Sequence, residues 1–422
     1  MTGGGGFSSR RLTRVRDLLE RHVDSGYVPG VVGVIARHGE VHITAVGTLA
    51  FDGPDASTPM AADTIWRTGS MTKPLVAACA MTLVEDGTLR LDDPVDALLP
   101  ELADMTVLTD PSGPLENTVP AKRPITLRDL LTYRLGTGMV FGDPGTVPIV
   151  DALAPLGALV YPEEPSDAVP GARPAAMPAP PPGAESAPDE WLRRLGALPL
   201  VHQPGELWMY ETAAHLTVIL VARATGMPFS DALRERICAP LGMADTGFSV
   251  EASDLNRVAT AYRHGEPGTP ILIDDAPDGY WSRPPAFESG GGGIVTTASD
   301  YLAFASTLLA GGTHDGERVL SRPAVSLMTT DHLTPEQHLV SGFPAGYFAE
   351  FGWGFGMSVR TQRTQLGPSV GSYGWPGYYG TTWYNDPAED MTMIFMHQRG
   401  PADQTAPIRQ DFTTAAYQAI DD

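Results

Sequence analysis

Lysine is nearly absent from this chain. Of its 28 basic residues only two, Lys73 and Lys122, are lysines, so each says more than a lysine ordinarily does. Cysteine is equally scarce. Cys79 and Cys238 are the two in 422 residues, and both fall in apolar helical contexts that offer neither a disulfide framework nor metal-ligand spacing. No apolar run reaches the length of about 18 residues that a membrane span needs, so no membrane partner is expected. Positive charge is short overall: 28 Lys and Arg stand against 50 Asp and Glu, a formal net charge of −22. Such a chain repels nucleic acid and anionic lipid, which excludes both as expected partners and leaves solubility as the plain role of the charge. After Met-Thr-Gly-Gly-Gly-Gly and the pair Arg10-Arg11 comes no apolar stretch of the secretory kind, which makes the cytoplasm the expected location. What the chain does have is 42% apolar residues over its whole length. That suffices for a large core in one composite domain or two intimate ones.

Hydrophobic periodicity orders the chain. Leu12, Val15, Leu18, Leu19 and Val23 recur at helical spacing over 10–24. Val31, Val32, Val34 and Ile35 read as a strand, Arg37-His38-Gly39-Glu40 as a turn, and Val41, Ile43 and Val46 as the returning strand. Residues 71–86 form a helix that is apolar on most sides and closed by Gly87, and a helix without a polar face belongs in the middle of a protein. Thr126 and Asp129 are a capping pair for a short helix through Leu131. The segment 162–188 holds nine prolines and reads as an extended surface loop or flap. Helices follow at 212–225, ended by Gly226, and at about 298–310. Strands are expected at 353–360, 378–385 and 391–397, and a last helix at about 408–420. Strands at both ends of the chain around a helix-rich middle predict an α/β (α+β) fold: an antiparallel sheet flanked by helices, with a large, mostly helical insertion. The expected division is an α/β lobe of 1–60 plus 291–422 and a helical lobe of 61–290, with the site between them.

Ser70 and Lys73 stand three residues apart at the start of the apolar helix, where that spacing puts both side chains on one face. A serine hydroxyl is a poor nucleophile until a base takes its proton. A buried lysine serves once its charge is disfavoured, and the positive field of the helix N-terminus favours the developing alkoxide. In a lysine-rich protein this spacing would be unremarkable. Here one of two lysines occupies it on an otherwise apolar helix, where an ammonium is costly. Lys73 is accordingly expected to rest largely neutral, or to share a proton with a neighbouring phenol.

Two later segments add weaker signals. Tyr210 ends a strand-like approach, precedes a helix start and is placed to pass a proton to a leaving group. Gly374-Trp375-Pro376-Gly377-Tyr378 leads into a strand, where the Tyr378 N–H joins the Ser70 N–H as an oxyanion hole. Taken singly, a packed tyrosine and a plain Gly-Pro turn explain these segments as well.

Their fixed order carries a resemblance. The chain resembles the serine β-lactamase and penicillin-binding-protein superfamily, and most of all its branch of class C β-lactamases and family VIII carboxylesterases. The matching residues span nearly the whole chain. They are Trp66-Arg67-Thr68-Gly69-Ser70-Met71-Thr72-Lys73, Leu130-Leu131-Thr132, Pro204-Gly205-Glu206, Pro240-Leu241-Gly242-Met243, Thr246-Gly247-Phe248, Gly291-Gly292-Gly293-Ile294, Thr297-Ala298-Ser299-Asp300, Gly374-Trp375 and Asp386-Pro387. The resemblance implies a β-lactamase-like fold and acyl-enzyme chemistry, with Ser70, Lys73 and Tyr210 catalytic.

The departures concern substrate. Where class C enzymes carry Tyr-x-Asn, this chain has Tyr210-Glu211-Thr212, which puts Thr212 in the place of an amide-gripping Asn. Where they carry Lys-Thr-Gly, it has Trp375-Pro376-Gly377, and Pro376 departs even from the Trp-Gly-Gly of the esterase branch. Trp375, Pro376, Gly377 and Thr212 are thus the expected substrate-binding residues, and an uncharged wall suits a small neutral ester better than a carboxylate-bearing β-lactam. The readings this leaves are a carboxylesterase, a β-lactamase or D-alanyl-D-alanine peptidase, and an acyltransferase sharing the same acyl-enzyme. No cofactor or metal is expected, since the ten histidines show no ligand spacing and Gly290 to Gly293 lack the Lys-Ser/Thr of a phosphate loop. A second serine motif, Gly367-Pro368-Ser369-Val370-Gly371, lacks the strand-to-helix context of a nucleophile elbow.

Overall fold

The hairpin of valines forms the rim of the principal sheet. In a computed structural model, which describes residues 4–141, 145–156, 160–161, 188–264, 269–274, 279–341, 346–400 and 407–422, β1 (Gly30–Arg37) and β2 (Glu40–Gly47) join five strands from the C-terminal region. Two short strands, β3 (Ile65–Arg67) and β4 (Val295–Thr297), pair with each other antiparallel outside this sheet. The remaining strands are β5 (Phe351–Trp353), β6 (Ser358–Arg360), β7 (Tyr373–Pro376), β8 (Thr381–Asp386) and β9 (Met391–His397). The order is β5-β6-β7-β8-β9-β1-β2, antiparallel throughout. The two ends of the chain meet where β1 pairs β9, Val34 opposite Ile394.

Alternation along the central strands explains why both faces are covered. Val31, Ile35, Met393 and Phe395 point to one side, under helices α1 (Ser9–Asp24) and α6 (Ile408–Gln418). There the rings of Phe395 and Phe412 stack at 4.7 Å. Val32, Val34, Ile394 and Met396 point to the other side, into the main core with α2 (Thr72–Glu85), α4 (Thr212–Thr225) and α5 (Ala298–Leu309). Helix α2 is buried from Thr72 to Leu83, as its lack of a polar face requires. Thr126 and Asp129 close a capping box on α3 (Leu127–Leu131).

Three expectations are corrected. The stretch 353–360 is two strands, because the residues between them leave the sheet: Phe355 N–H bonds Met328 O at 2.9 Å and Gly356 N–H bonds Leu131 O at 3.1 Å. Gly374 to Pro376 are strand and the turn comes after them, closed by Gly377 N–H on Thr381 O at 2.7 Å. Pro376 is tolerated there because β6 pairs only with Tyr373 and Gly374, so no ladder partner on that side needs its missing N–H. The approach to Tyr210 is irregular and contains no strand among its described residues. Of the proline-rich segment, 162–187 lies outside the described residues, and Pro188 opens the helix Pro188–Gly196.

Candidate active site

Ser70 lies in a single 3-10 turn, Gly69–Met71, that leads into α2. The turn is pinned from several sides. Thr68 N–H and Oγ1–H both bond Ile294 O, at 3.0 and 2.6 Å. Thr381 Oγ1–H bonds Thr68 O at 2.7 Å, and the Tyr301 hydroxyl of α5 bonds Met71 O at 3.0 Å. Gly69 has φ 52 and sits against the next strand's turn: a Cβ there would come within 2.6 Å of Tyr378 N. Glycine is therefore required at position 69, both for the left-handed backbone and for the close approach. That approach brings the Tyr378 N–H beside the turn that carries Ser70.

Lys73, the second residue of α2, is 1% exposed. Its Nζ donates to Ser70 Oγ at 2.9 Å and to Gly291 O at 2.5 Å. It is ion-paired with Glu211 Oε2 at 2.6 Å, and it lies 4.4 Å from the centre of the Tyr210 ring. An ammonium so deeply buried is tolerable only with such partners. The carboxylate in contact with Nζ belongs to Glu211, a residue to which the sequence assigns no role.

Tyr210 and Glu211 are delivered by one strained turn. Glu211 has φ 84 and ψ −67, and Thr212 N–H bonds Tyr210 O at 3.3 Å across it. These are the angles and the bond of a γ-turn in its rare, costly form. Main-chain bonds hold the turn in place, Met139 N–H on Tyr210 O at 2.7 Å and Met209 N–H on Tyr133 O at 2.8 Å. The turn lets two successive side chains converge on Lys73. The Glu211 carboxylate also occupies the place a Cβ of residue 291 would fill, so Gly291 must be glycine for its carbonyl to reach Lys73 while Glu211 stands behind it.

Behind the pair lies His215 of α4, its Nε2 3.7 Å from Glu211 Oε1 and its ring edge-on to Trp191 and Phe287 at 5.6 Å each. Burial pushes its pKa down to about 4, against the opposing pull of Glu211. It therefore faces Glu211 as an uncharged imidazole at neutral pH. Burial, and after it Tyr210 and Glu211, raise Tyr133 well above the ordinary tyrosine range, so it is a neutral phenol.

The expected substrate wall is placed differently from the reading. Trp375 is 4% exposed, and its indole N–H donates to the Tyr210 hydroxyl at 2.6 Å. It belongs to an aromatic cluster in which Tyr210, Trp353 and Trp375 lie within 6.3 Å of one another, ring centre to ring centre, with Tyr133 and Trp208 against them. Trp375 thus fixes Tyr210 more than it offers a surface. Pro376 and Gly377 are partly exposed, and Thr212 is buried at the first residue of α4. Ser70, Lys73, Tyr210 and the Tyr378 backbone come together. Ser369 does not join them: its N–H bonds Asp386, at the opposite end of β8 from Thr381.

A family model described as Beta-lactamase matches residues 15–418. The chain is 37% identical over 383 residues to Protein Rv1367c of Mycobacterium tuberculosis (strain ATCC 25618 / H37Rv), covering 90% of this chain and 88% of that one. It is 29% identical over 408 residues to Esterase EstB of Burkholderia gladioli, covering 92% and 90%. Among solved structures it is similar in fold to the unliganded simvastatin synthase LovD of Aspergillus terreus, with a TM-score of 0.76 and 24% identity over 97% of this chain and 98% of that one.

Proposed function

The chain belongs to the β-lactamase family, and from that premise we propose that it is a serine hydrolase that acts through an acyl-enzyme on small neutral carboxylic esters. The observation that carries this reading is Lys73, buried in an apolar helix with its Nζ 2.9 Å from Ser70 Oγ. Ser70 attacks the ester carbonyl and its proton leaves by way of Lys73. The N–H groups of Ser70 and Tyr378 hold the oxyanion. Tyr210, its hydroxyl fixed by the Trp375 indole, passes a proton to the departing alkoxide. Water then repeats the sequence on the acyl-enzyme.

The preference for neutral esters follows from charge. At the position where the lactamase branch places a lysine stands Trp375, and the charge of Lys73 is matched by Glu211. A β-lactam carboxylate brought to this place meets no lysine, and losing its water there unpaired costs several kcal/mol, on the order of that for any unpaired buried ion. A small ester has no such group. The esterase name of the Burkholderia relative agrees with this reading.

The test compares specificity constants for p-nitrophenyl butyrate, nitrocefin and a D-alanyl peptide, with and without a competing alcohol, using Ser70→Ala as the blank. The ester is expected to be turned over fastest. A nitrocefin constant equal to or above the ester constant restores the β-lactamase reading. Product diverted wholly to the alcohol ester makes the enzyme an acyltransferase.

A further inference from the structure

The Ser70–Lys73 contact leaves a chemical problem unsolved, since an ammonium held by a carboxylate has no lone pair with which to take a proton. The geometry supplies the answer. Nζ of Lys73 lies between Ser70 Oγ at 2.9 Å and Glu211 Oε2 at 2.6 Å. We propose that Glu211 is the terminal proton acceptor for the activation of Ser70, acting through Lys73 and never touching substrate. This rests on the acyl-enzyme reading above and completes its first step.

As Ser70 Oγ bonds to the ester carbon, the carbonyl π pair moves onto the carbonyl oxygen. The Oγ–H proton passes to Nζ, while another Nζ proton passes to Oε2 of Glu211. Lys73 begins and ends as an ammonium, and Glu211 goes from carboxylate to acid. When the intermediate collapses, the Tyr210 hydroxyl gives its proton to the departing alcohol oxygen as the carbon–alkoxide bond breaks, and it is reprotonated from Glu211 by way of Lys73.

The surroundings fit an acceptor rather than a mere counter-ion. Among the groups facing Lys73 are Ser70 from the turn before α2, Tyr210 and Glu211 from the turn before α4, and the Gly291 carbonyl. Those facing Glu211 are Lys73, His215 and Tyr133, and the latter two are uncharged at neutral pH. Glu211 therefore has one cationic neighbour among these groups, and a proton moved between the two neutralises both at once. A strained γ-turn holds the carboxylate there. Its side chain is 13% exposed, which limits competition from water.

The scarcity of lysine makes the charge state directly readable. In full-length protein labelled with 13C-lysine, only Lys73 and the exposed Lys122 give signals, and Lys122→Arg assigns them. In the wild type the Lys73 signal is expected to stay at its ammonium position from pH about 6 to about 9, while kcat for p-nitrophenyl butyrate is flat over the same range. In Glu211→Gln, which keeps an oxygen for Lys73 but cannot take its proton, Lys73 is expected to titrate inside that range. Its kcat should then follow the neutral fraction, rising about tenfold per pH unit below the midpoint, with KM within about threefold of wild type. A merely structural Glu211 would lower activity without this new limb.

A wild-type Lys73 that is already neutral at pH 7 overturns the proposal, and that measurement needs no variant to fold. So does a Glu211→Gln profile parallel to wild type. If no ester is turned over in a Ser70-dependent way, it is the esterase reading that fails, while the lysine signals still report on the Glu211–Lys73 pair.

Discussion

Replacing Trp375 by Phe isolates the bond between its indole and the Tyr210 hydroxyl. The perturbation removes one donor, 2.6 Å from the phenol oxygen, and a few ring atoms from a side chain that is 4% exposed. Taking a donor away from a buried acceptor costs about 1–3 kcal/mol. If that loss falls on the step in which Tyr210 moves a proton, kcat drops by about 5- to 150-fold, at about tenfold per 1.4 kcal/mol. The lost ring atoms cost stability separately, about 1–2 kcal/mol for a truncation of this size. The control lies in the same cluster. Trp353 has its ring centre 4.7 Å from that of Trp375 and is fully buried, yet its indole N–H has no hydrogen-bond partner among the described residues. Trp353→Phe therefore deletes the same atoms without deleting a bond, and it should lose similar stability while keeping kcat within about threefold. Steady-state kinetics on p-nitrophenyl butyrate and urea unfolding of both variants provide the comparison. Equal losses of kcat would show that the cluster acts through packing and that the Trp375–Tyr210 bond has no part in catalysis.

Three further outcomes are expected. Ser70→Ala abolishes ester hydrolysis while Ser369→Ala leaves it intact, and mass spectrometry after phosphonate treatment places the adduct on Ser70; an adduct on Ser369 reverses the assignment. Lys73→Arg is nearly inactive although it keeps the charge, since a guanidinium neither gives up nor accepts a proton in this range; near-wild-type kcat in that variant would make Lys73 an electrostatic bystander. His215, held by burial at about 4 against an ordinary value near 6.5, is protonated more readily in the unfolded chain. Its contribution to stability is therefore complete above pH about 6.5 and is lost as pH falls towards 4, to the extent of about 3 kcal/mol. Urea unfolding at pH about 7.5 and about 4.5 should show a smaller acid loss in His215→Phe than in wild type, and identical losses would remove His215 from the explanation.

The fold was legible wherever one element decides its own structure. The short apolar runs of β1 and β9 and the largely apolar α2 need no partner to be recognised, and the capping box at Thr126 and Asp129 is a local bond between neighbours. What could not be read was set by distant partners. The break between β5 and β6 exists because Met328 and Leu131 bond Phe355 and Gly356 away from the sheet. Those residues lie 27 and 225 positions earlier in the chain, and nothing in the alternation of 353–360 encodes them.

The same distinction separates the legible part of the site from the rest. Ser70 and Lys73 meet because one helix turn brings them together, and that is a property of spacing. Trp375 is expected to face substrate because it stands in the place of the Lys of Lys-Thr-Gly, but its indole N–H is a donor, and a buried donor seeks an acceptor wherever the fold supplies one. Glu211 was hidden by a backbone angle. The resemblance to Tyr-x-Asn points to Thr212, and in an ordinary turn residues 210 and 212 would share a direction while 211 pointed away. The γ-turn at φ 84 reverses this: Tyr210 and Glu211 both reach Lys73, and Thr212 is buried at the start of α4. One sequence clue was available. A buried lysine requires a counter-charge, and of the residues grouped around Tyr210 in the chain, Glu211 is the acidic one adjacent to it. The counter-charge that Lys73 requires, more than the place of an asparagine, points to Glu211.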